Sequence, residues 1–333
     1  MSVPDAYRLE GLEPDNLPAF LALLGLLRAL EASDRALAEG DALRPRVFWD
    51  VDHPPLRPAL RITRKMTRAE IAEAVAGGAS MLAARYDFGG RSGLDYSRQE
   101  ARELLMSTAR AAGHSDREHA DLLSCLFSDA ALKEDRASAT AQVMPTPLCL
   151  LFGQGHQHFL DRLARVPNEP VPPPRGRGKS TRSLTAAECI SEALFEPWQR
   201  KDPTVSFRWD PEEASRWALL AGDPTDPAYK AHTQHGANRL AALGIASITL
   251  VPEPRAGRTR AAVIGGAHGR HGFSFAWPIW THPTTLAGIH ALLSHRDLRN
   301  PPSLEYLGVA FVLEAKRISV SQFMNFGRAR ALG

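Results

Sequence analysis

Four times this chain sets a Ser or Thr three residues before a Glu: Thr67/Glu70, Ser97/Glu100, Ser115/Glu118 and Thr185/Glu188. In such a pair the hydroxyl accepts the amide of the third helical residue and the carboxylate reaches back to the amide of the cap. Two donors that a helix start would otherwise leave orphaned are satisfied together. Each pair opens a stretch of helical apolar spacing, so each predicts a helix. A longer helix is expected over Leu17–Leu37, begun by Asp15 or Asn16, with Pro18 tolerated in its first turn. Leu148–Val166 and Ala237–Leu243 read as further helices, and Arg46–Asp50 with Ala59–Thr63 as a short strand pair.

The grammar changes between Val166 and Leu184. Five prolines (Pro167, Pro170, Pro172, Pro173, Pro174) precede R-G-R-G-K-S-T-R, a stretch suited to neither helix nor sheet. Beyond it, Thr204–Trp209, Ala246–Val251, Ala261–Gly265, Phe273–Trp280 and Leu304–Leu313 carry β-branched or aromatic runs between Pro and Gly, with a helix expected at Thr284–Leu293. The expected fold class is α+β: a helix-rich N-terminal half with a mixed or antiparallel sheet in the C-terminal half. The expected organisation is a mainly helical region 1–166, a Pro/Gly/Arg-rich mobile loop or linker 167–184, and an α+β region 185–333. No fixed-period repeat is visible.

The longest apolar run, Phe20–Leu27, falls far short of the roughly 20 residues that span a bilayer. No basic segment leads into an apolar one at the N-terminus, and a soluble cytoplasmic protein without membrane contact is expected. Cys125, Cys149 and Cys189 are widely spaced and form no CxxC pair, which argues for buried free thiols over disulfides or a zinc ribbon. Net charge is +3, too balanced for a chain that wraps nucleic acid unaided. The charge is nevertheless uneven: Arg162, Arg165, Arg175, Arg177, Lys179 and Arg182 face Glu169 alone between positions 162 and 182.

Candidate binding residues cluster in Gly-punctuated segments. In Gly153-Gln-Gly-His-Gln-His158, His156 and His158 would share a face if extended, but no nearby Cys, Asp or Glu pattern completes a metal site. The same run would otherwise cap a helix, or offer Gln154, His156, Gln157 and His158 as donors to a phosphate or base edge. Arg175, Arg177, Lys179 and Arg182 form a basic tract fit to order on a phosphate backbone, and its glycines lack nucleotide P-loop spacing. Asp87–Gly93 contains D-F-G without a kinase catalytic loop, and reads as a turn presenting Arg91 and Ser92. Gln234, Asn238 and Arg239 at the start of a helix would either cap it or read bases. Gly265–Gly272 reads as a loose hairpin with His268, Arg270 and His271 available to RNA or DNA. No nucleophile elbow is present, and neither a catalytic residue nor a cofactor is expected.

Three segments carry a resemblance to a known family. They are W-D-P…A-G-D-P…G-A-N-R-L-A within Phe207–Gly244, G-L-E-P-D-N-L-P-A-F-L-A-L-L-G-L-L-R-A-L from Gly11 to Leu30, and P-T-P-L-C-L-L-F-G-Q-G-H-Q-H-F from Pro145 to Phe159. Together they resemble the large, PAM-reading (protospacer-adjacent-motif-reading) subunit of type I-G (formerly I-U) CRISPR effector (Cascade) complexes, here in a compact variant. The resemblance also places a Gly-rich loop near Asp87–Gly93. It implies a non-catalytic ribonucleoprotein subunit of antiviral defence that recognises the motif in double-stranded DNA and aids strand separation. Implied partners are crRNA and target DNA, the Cascade backbone and crRNA-end subunits, and a helicase–nuclease recruited transiently. Trp209 and Trp217 would then lie in a protein-docking surface. Two rivals stand beside this reading: a structural adaptor of the same complex without DNA contact, and a small His-dependent metal hydrolase or nuclease.

Overall fold

The computed structural model describes residues 6–113, 117–134, 138–151, 158–175, 181–212, 232–255, 257–270, 272–320 and 323–332. Along the chain these form β1 (Ala6–Arg8), α1 (Leu17–Asp34), β2 (Arg46–Asp50), β3 (Arg57–Arg61), α2 (Arg68–Ala83), α3 (Arg98–Ala112), α4 (Arg117–Leu126) and α5 (Phe159–Asn168). There follow α6 (Ala186–Phe195), α7 (His235–Gly244), β4 (Leu250–Arg255), β5 (Arg258–Val263), β6 (Gly266–Gly269), β7 (Gly272–Trp280), α8 (Leu286–Leu293), β8 (Val309–Val320), β9 (Phe323–Phe326) and β10 (Arg330–Ala331). The fold is α+β, with helices mostly forward and antiparallel sheets mostly in the last third. No described helix is long and apolar enough to cross a membrane.

Helix α1 is buried almost all round, from Leu17 to Leu30, and is the axis on which the rest packs. A Cβ on Gly25 would stand 1.9 Å from Leu240 O of α7, and one on Gly244 would stand 1.9 Å from Leu21 O of α1. The two backbones are thus in contact, which brings the first and third quarters of the chain together. On the other side Phe20 stacks on Trp277 of β7 at 5.3 Å. One hydrophobic cluster therefore runs through both halves of the chain.

The sheets are antiparallel throughout. β1-β3-β2 is a three-stranded sheet, β10-β8-β7-β6 with β9 on β8 a five-stranded one, and β4-β5 a hairpin. Trp280 Nε1 donates to Val47 O (2.7 Å) and joins the second sheet to the first.

Three of the four expected capping boxes close in both directions, at Thr67/Glu70, Ser97/Glu100 and Thr185/Glu188. Ser115 lies outside the described residues, and the Glu118 carboxylate engages Arg28 and Arg35. Asn16 caps α1 by position but not through its side chain, and Pro18 sits in the first turn.

Several expected elements need correction. Thr204–Trp209 is no strand: Arg208 is left-handed (φ 62°), and Phe207 and Trp209 stack on each other at 4.4 Å inside the core. Trp209 Nε1 donates to Leu148 O (2.8 Å), so this tryptophan is structural and not a docking surface; Trp217 lies outside the described residues. The helix expected from Leu148 begins at Phe159 and carries Pro167 in its last turn. Residues 245–247 continue α7 as a 3-10 turn, and Pro301–Leu307 is 3-10 helix closed by Gly308 at φ 74°. The three cysteines are free and buried, as expected.

Candidate nucleic-acid interface

The expected binding residues separate into an inward group, a clasp and a surface group. Gln234, Asn238 and Arg239 turn inward, a correction to their reading as base or phosphate readers. Gln234 Oε1 accepts the amides of Gln199 (3.0 Å) and Arg200 (3.2 Å), and Asn238 Nδ2 donates to Val205 O (2.8 Å). Arg239 is 1% exposed and donates to Pro167 O (2.8 Å) and Ser80 Oγ (3.1 Å). Desolvation lowers its guanidinium to about 10.

Arg175 is the second correction. Its guanidinium grips Asp202 through Nε (2.7 Å) and Nη2 (2.9 Å) and reaches Glu192 through Nη1 (2.8 Å). Its backbone pairs with that of Arg182 in both directions (2.9 and 2.7 Å). Arg175 thus clamps the two ends of the basic tract to a carboxylate that is almost fully buried, and is not offered to a ligand. Arg182 is exposed and bonded to Glu188 (2.7 Å). Arg177 and Lys179 lie outside the described residues, as do Gln154, His156 and Gln157.

Asp202 also anchors a polar cluster beneath the clasp. It accepts the His235 amide (3.0 Å), while His235 Nε2 donates to Glu169 O (2.6 Å) and Nδ1 lies 3.3 Å from Thr204 Oγ1. A carbonyl can only accept, so Nε2 carries the proton and Nδ1 accepts from Thr204. Asp202 touches the His235 backbone and not its ring, so no carboxylate orients this imidazole as a base. Burial holds the imidazole below its ordinary value. Among the described residues no three His, Cys, Asp or Glu side chains come together to hold a metal.

The remaining predicted residues are brought together at the surface. Gly89 and Gly90 are left-handed and turn the chain so that Ser92 O accepts the Leu160 amide (3.0 Å), against the start of α5. His158, at the N-cap of α5, is half exposed, with Nδ1 3.5 Å from Asp161. Arg91 lies 4.3 Å over the Tyr96 ring and pairs with Glu100 and Asp95.

A separate surface is formed by the ends of three hairpins. Gly269 pairs with Gly272 and leaves Arg270 exposed at the β6–β7 turn. His268 and Phe273, opposite each other behind that turn, meet edge-on at 5.3 Å, and His268 Nε2 donates to Ala261 O (2.8 Å), tying β6 to β5. Arg317 of β8 covers the Phe273 ring at 5.5 Å and donates to Pro147 O (3.2 Å), on the described flank of the Gly153–His158 segment. Arg258, Arg260 and Lys316 are exposed on the adjoining strands. Glu253 stands opposite Arg260 in the register, and Glu314 is taken by Ser274 (2.7 Å) and Arg299 (3.4 Å). Of these cations the sequence reading selected only Arg270; Arg258 and Arg260, two apart beside Gly257, were the signal it passed over.

No protein-family model matches the chain, and no curated protein matches it.

Proposed function

We propose that this chain is a non-catalytic subunit of a crRNA-guided type I surveillance complex, holding target double-stranded DNA beside its protospacer-adjacent motif. The observation that supports this reading is the row of hairpin ends carrying Arg258, Arg260, Arg270 and Lys316, next to the flank of the segment that bears Gln154–His158. Exposed Arg and Lys on neighbouring β-hairpins suit phosphate contacts, which position a duplex. Division of labour follows: guide pairing reads the target, and the protein reads a short motif and holds backbones. Strand separation and transient recruitment of a helicase–nuclease belong to the same proposal, as do crRNA and the backbone and crRNA-end subunits as partners.

The test is target binding by the reconstituted complex, with and without this chain, on duplexes with randomised flanks. The proposal expects a binding preference for one short flank that appears only when the chain is present. Equal binding to every flank, with or without it, would leave the structural adaptor.

A further inference from the structure

At the opposite end of the chain the β2–β3 register sets Arg46 directly across from Arg61. Directly opposed residues on one sheet face hold their Cβ atoms about 5 Å apart, and like charges there repel. Both arginines are exposed. The other end of the same hairpin is built differently. There Arg57 stands opposite Asp50, and Arg8 of β1 binds Glu10 (2.7 Å) and Asp50 (3.0 Å). Among the described residues one end of this sheet is neutralised and the other is left cationic.

More cations surround the open end. The Thr63 amide donates to Leu43 O (2.9 Å), which sets Arg44 beside Arg64, and Lys65 and Arg68 follow, all exposed. Arg44 is held left-handed (φ 46°), with Asp34 accepting the amides of Leu43 (2.7 Å) and Arg44 (2.8 Å). An L-residue adopts that backbone at a cost, so this turn is held in place and not merely loose. Between Ala42 and Ala69 the chain carries seven Arg and Lys against Asp50 and Asp52. Nearby Glu70 is engaged in the Thr67 capping box and also feels the Arg64 charge, and among the described residues no ion pair joins Glu39, Asp41 or Glu73 to these cations. Arg44, Arg46, Arg61, Arg64 and Lys65 make no side-chain hydrogen bond or ion pair among the described residues.

We infer that this end of the β1-β3-β2 sheet is a second anion-binding surface that grips the phosphodiester backbone of a nucleic-acid duplex. The inference rests on the nucleic-acid reading above and adds a separate place of contact. Arginine forks match phosphate oxygens two at a time, and a polyanion relieves the Arg46–Arg61 repulsion that the free chain bears. Among the described residues no exposed aromatic ring lies beside these cations to stack an unpaired base, so the contact reads backbone and not sequence.

Fluorescence anisotropy with the full chain tests it, using a labelled duplex DNA, a single-stranded RNA of equal length and poly-glutamate as probes. Reversing both charges, R46E/R61E, is expected to weaken duplex binding at least tenfold and to flatten the log affinity against log salt slope by about 2. The single change R61E sets a carboxylate opposite Arg46, so it is expected to raise the melting temperature of the free chain while lowering duplex affinity. That opposition separates a binding loss from misfolding. Unchanged duplex affinity and slope in R46E/R61E overturn the inference. So does poly-glutamate binding as tightly as the duplex, which would assign the surface to an acidic protein, or a preference for the RNA strand. R258E/R270E serves as the companion variant: if it alone loses duplex binding, only the present inference falls. If both variants bind as the wild type does, the nucleic-acid reading of the chain falls with it.

Discussion

His235 is a titratable group whose burial disfavours its charged form. Its ring is buried, donates to Glu169 O and accepts from Thr204, and desolvation holds its folded value below the ordinary 6.5. A base whose folded pKa is depressed takes up its proton more readily when unfolded. Its contribution to stability is therefore fully present above about pH 6.5 and is lost as pH falls through the folded value. The melting temperature is expected to drop between pH 7.5 and 5, and to drop less in H235Q, whose amide can donate to Glu169 O and accept from Thr204 without titrating. Identical pH profiles would show that another group governs the acid limb. The same site marks where side-chain roles stop being legible in sequence. Arg175 reads as one cation of a solvated tract because Asp202, the carboxylate that consumes it, lies 27 residues downstream in a segment that looked like the lead-in to a strand. Arg239 reads as a polar helix start, yet α7 is buried on nearly every side, and tertiary packing decides that.

Two adjacent glycines in α2 carry opposite expectations. A Cβ at Gly77 meets nothing within 4 Å, whereas one at Gly78 would stand 1.8 Å from Ala29 O of α1. G77A is expected to stabilise the fold by about 0.5–1 kcal/mol through helix propensity and a less flexible unfolded chain. G78A must push α1 and α2 apart, and is expected to cost about 3 kcal/mol or more. Chemical denaturation of both variants checks this, and equal effects would mean that the two helices do not meet as described. Capping boxes were legible because the information sits within four residues. Strand ends were less so: the alternation at Phe207 and Trp209 belongs to an irregular segment that inserts two rings into the core. The apolar run at Leu304–Leu313 is half 3-10 helix because Gly308 turns the chain before β8 starts.

For the whole molecule, the α+β order was visible in the shift from capping boxes to β-branched runs, while the way the halves join was not. Gly25 and Gly244 are single letters in distant segments, and only contact shows that each exists to let α1 and α7 touch. The surface follows the same rule. Cations were sought where they cluster in sequence, whereas Arg46 and Arg61 are gathered by strand pairing, and Arg258 and Arg270 by the His268 bond that ties β6 to β5, across gaps that composition does not register. A near-neutral chain can thus present two local cationic faces while most of its other ion pairs close internally. The measurement that tests this account most directly is cross-linking of a target duplex within the reconstituted complex, with attachment sites mapped by mass spectrometry. The account predicts that this chain is attached through peptides spanning 258–270 or 44–68. Attachment confined to the other subunits, in a complex that contains this chain and binds its target, would contradict it.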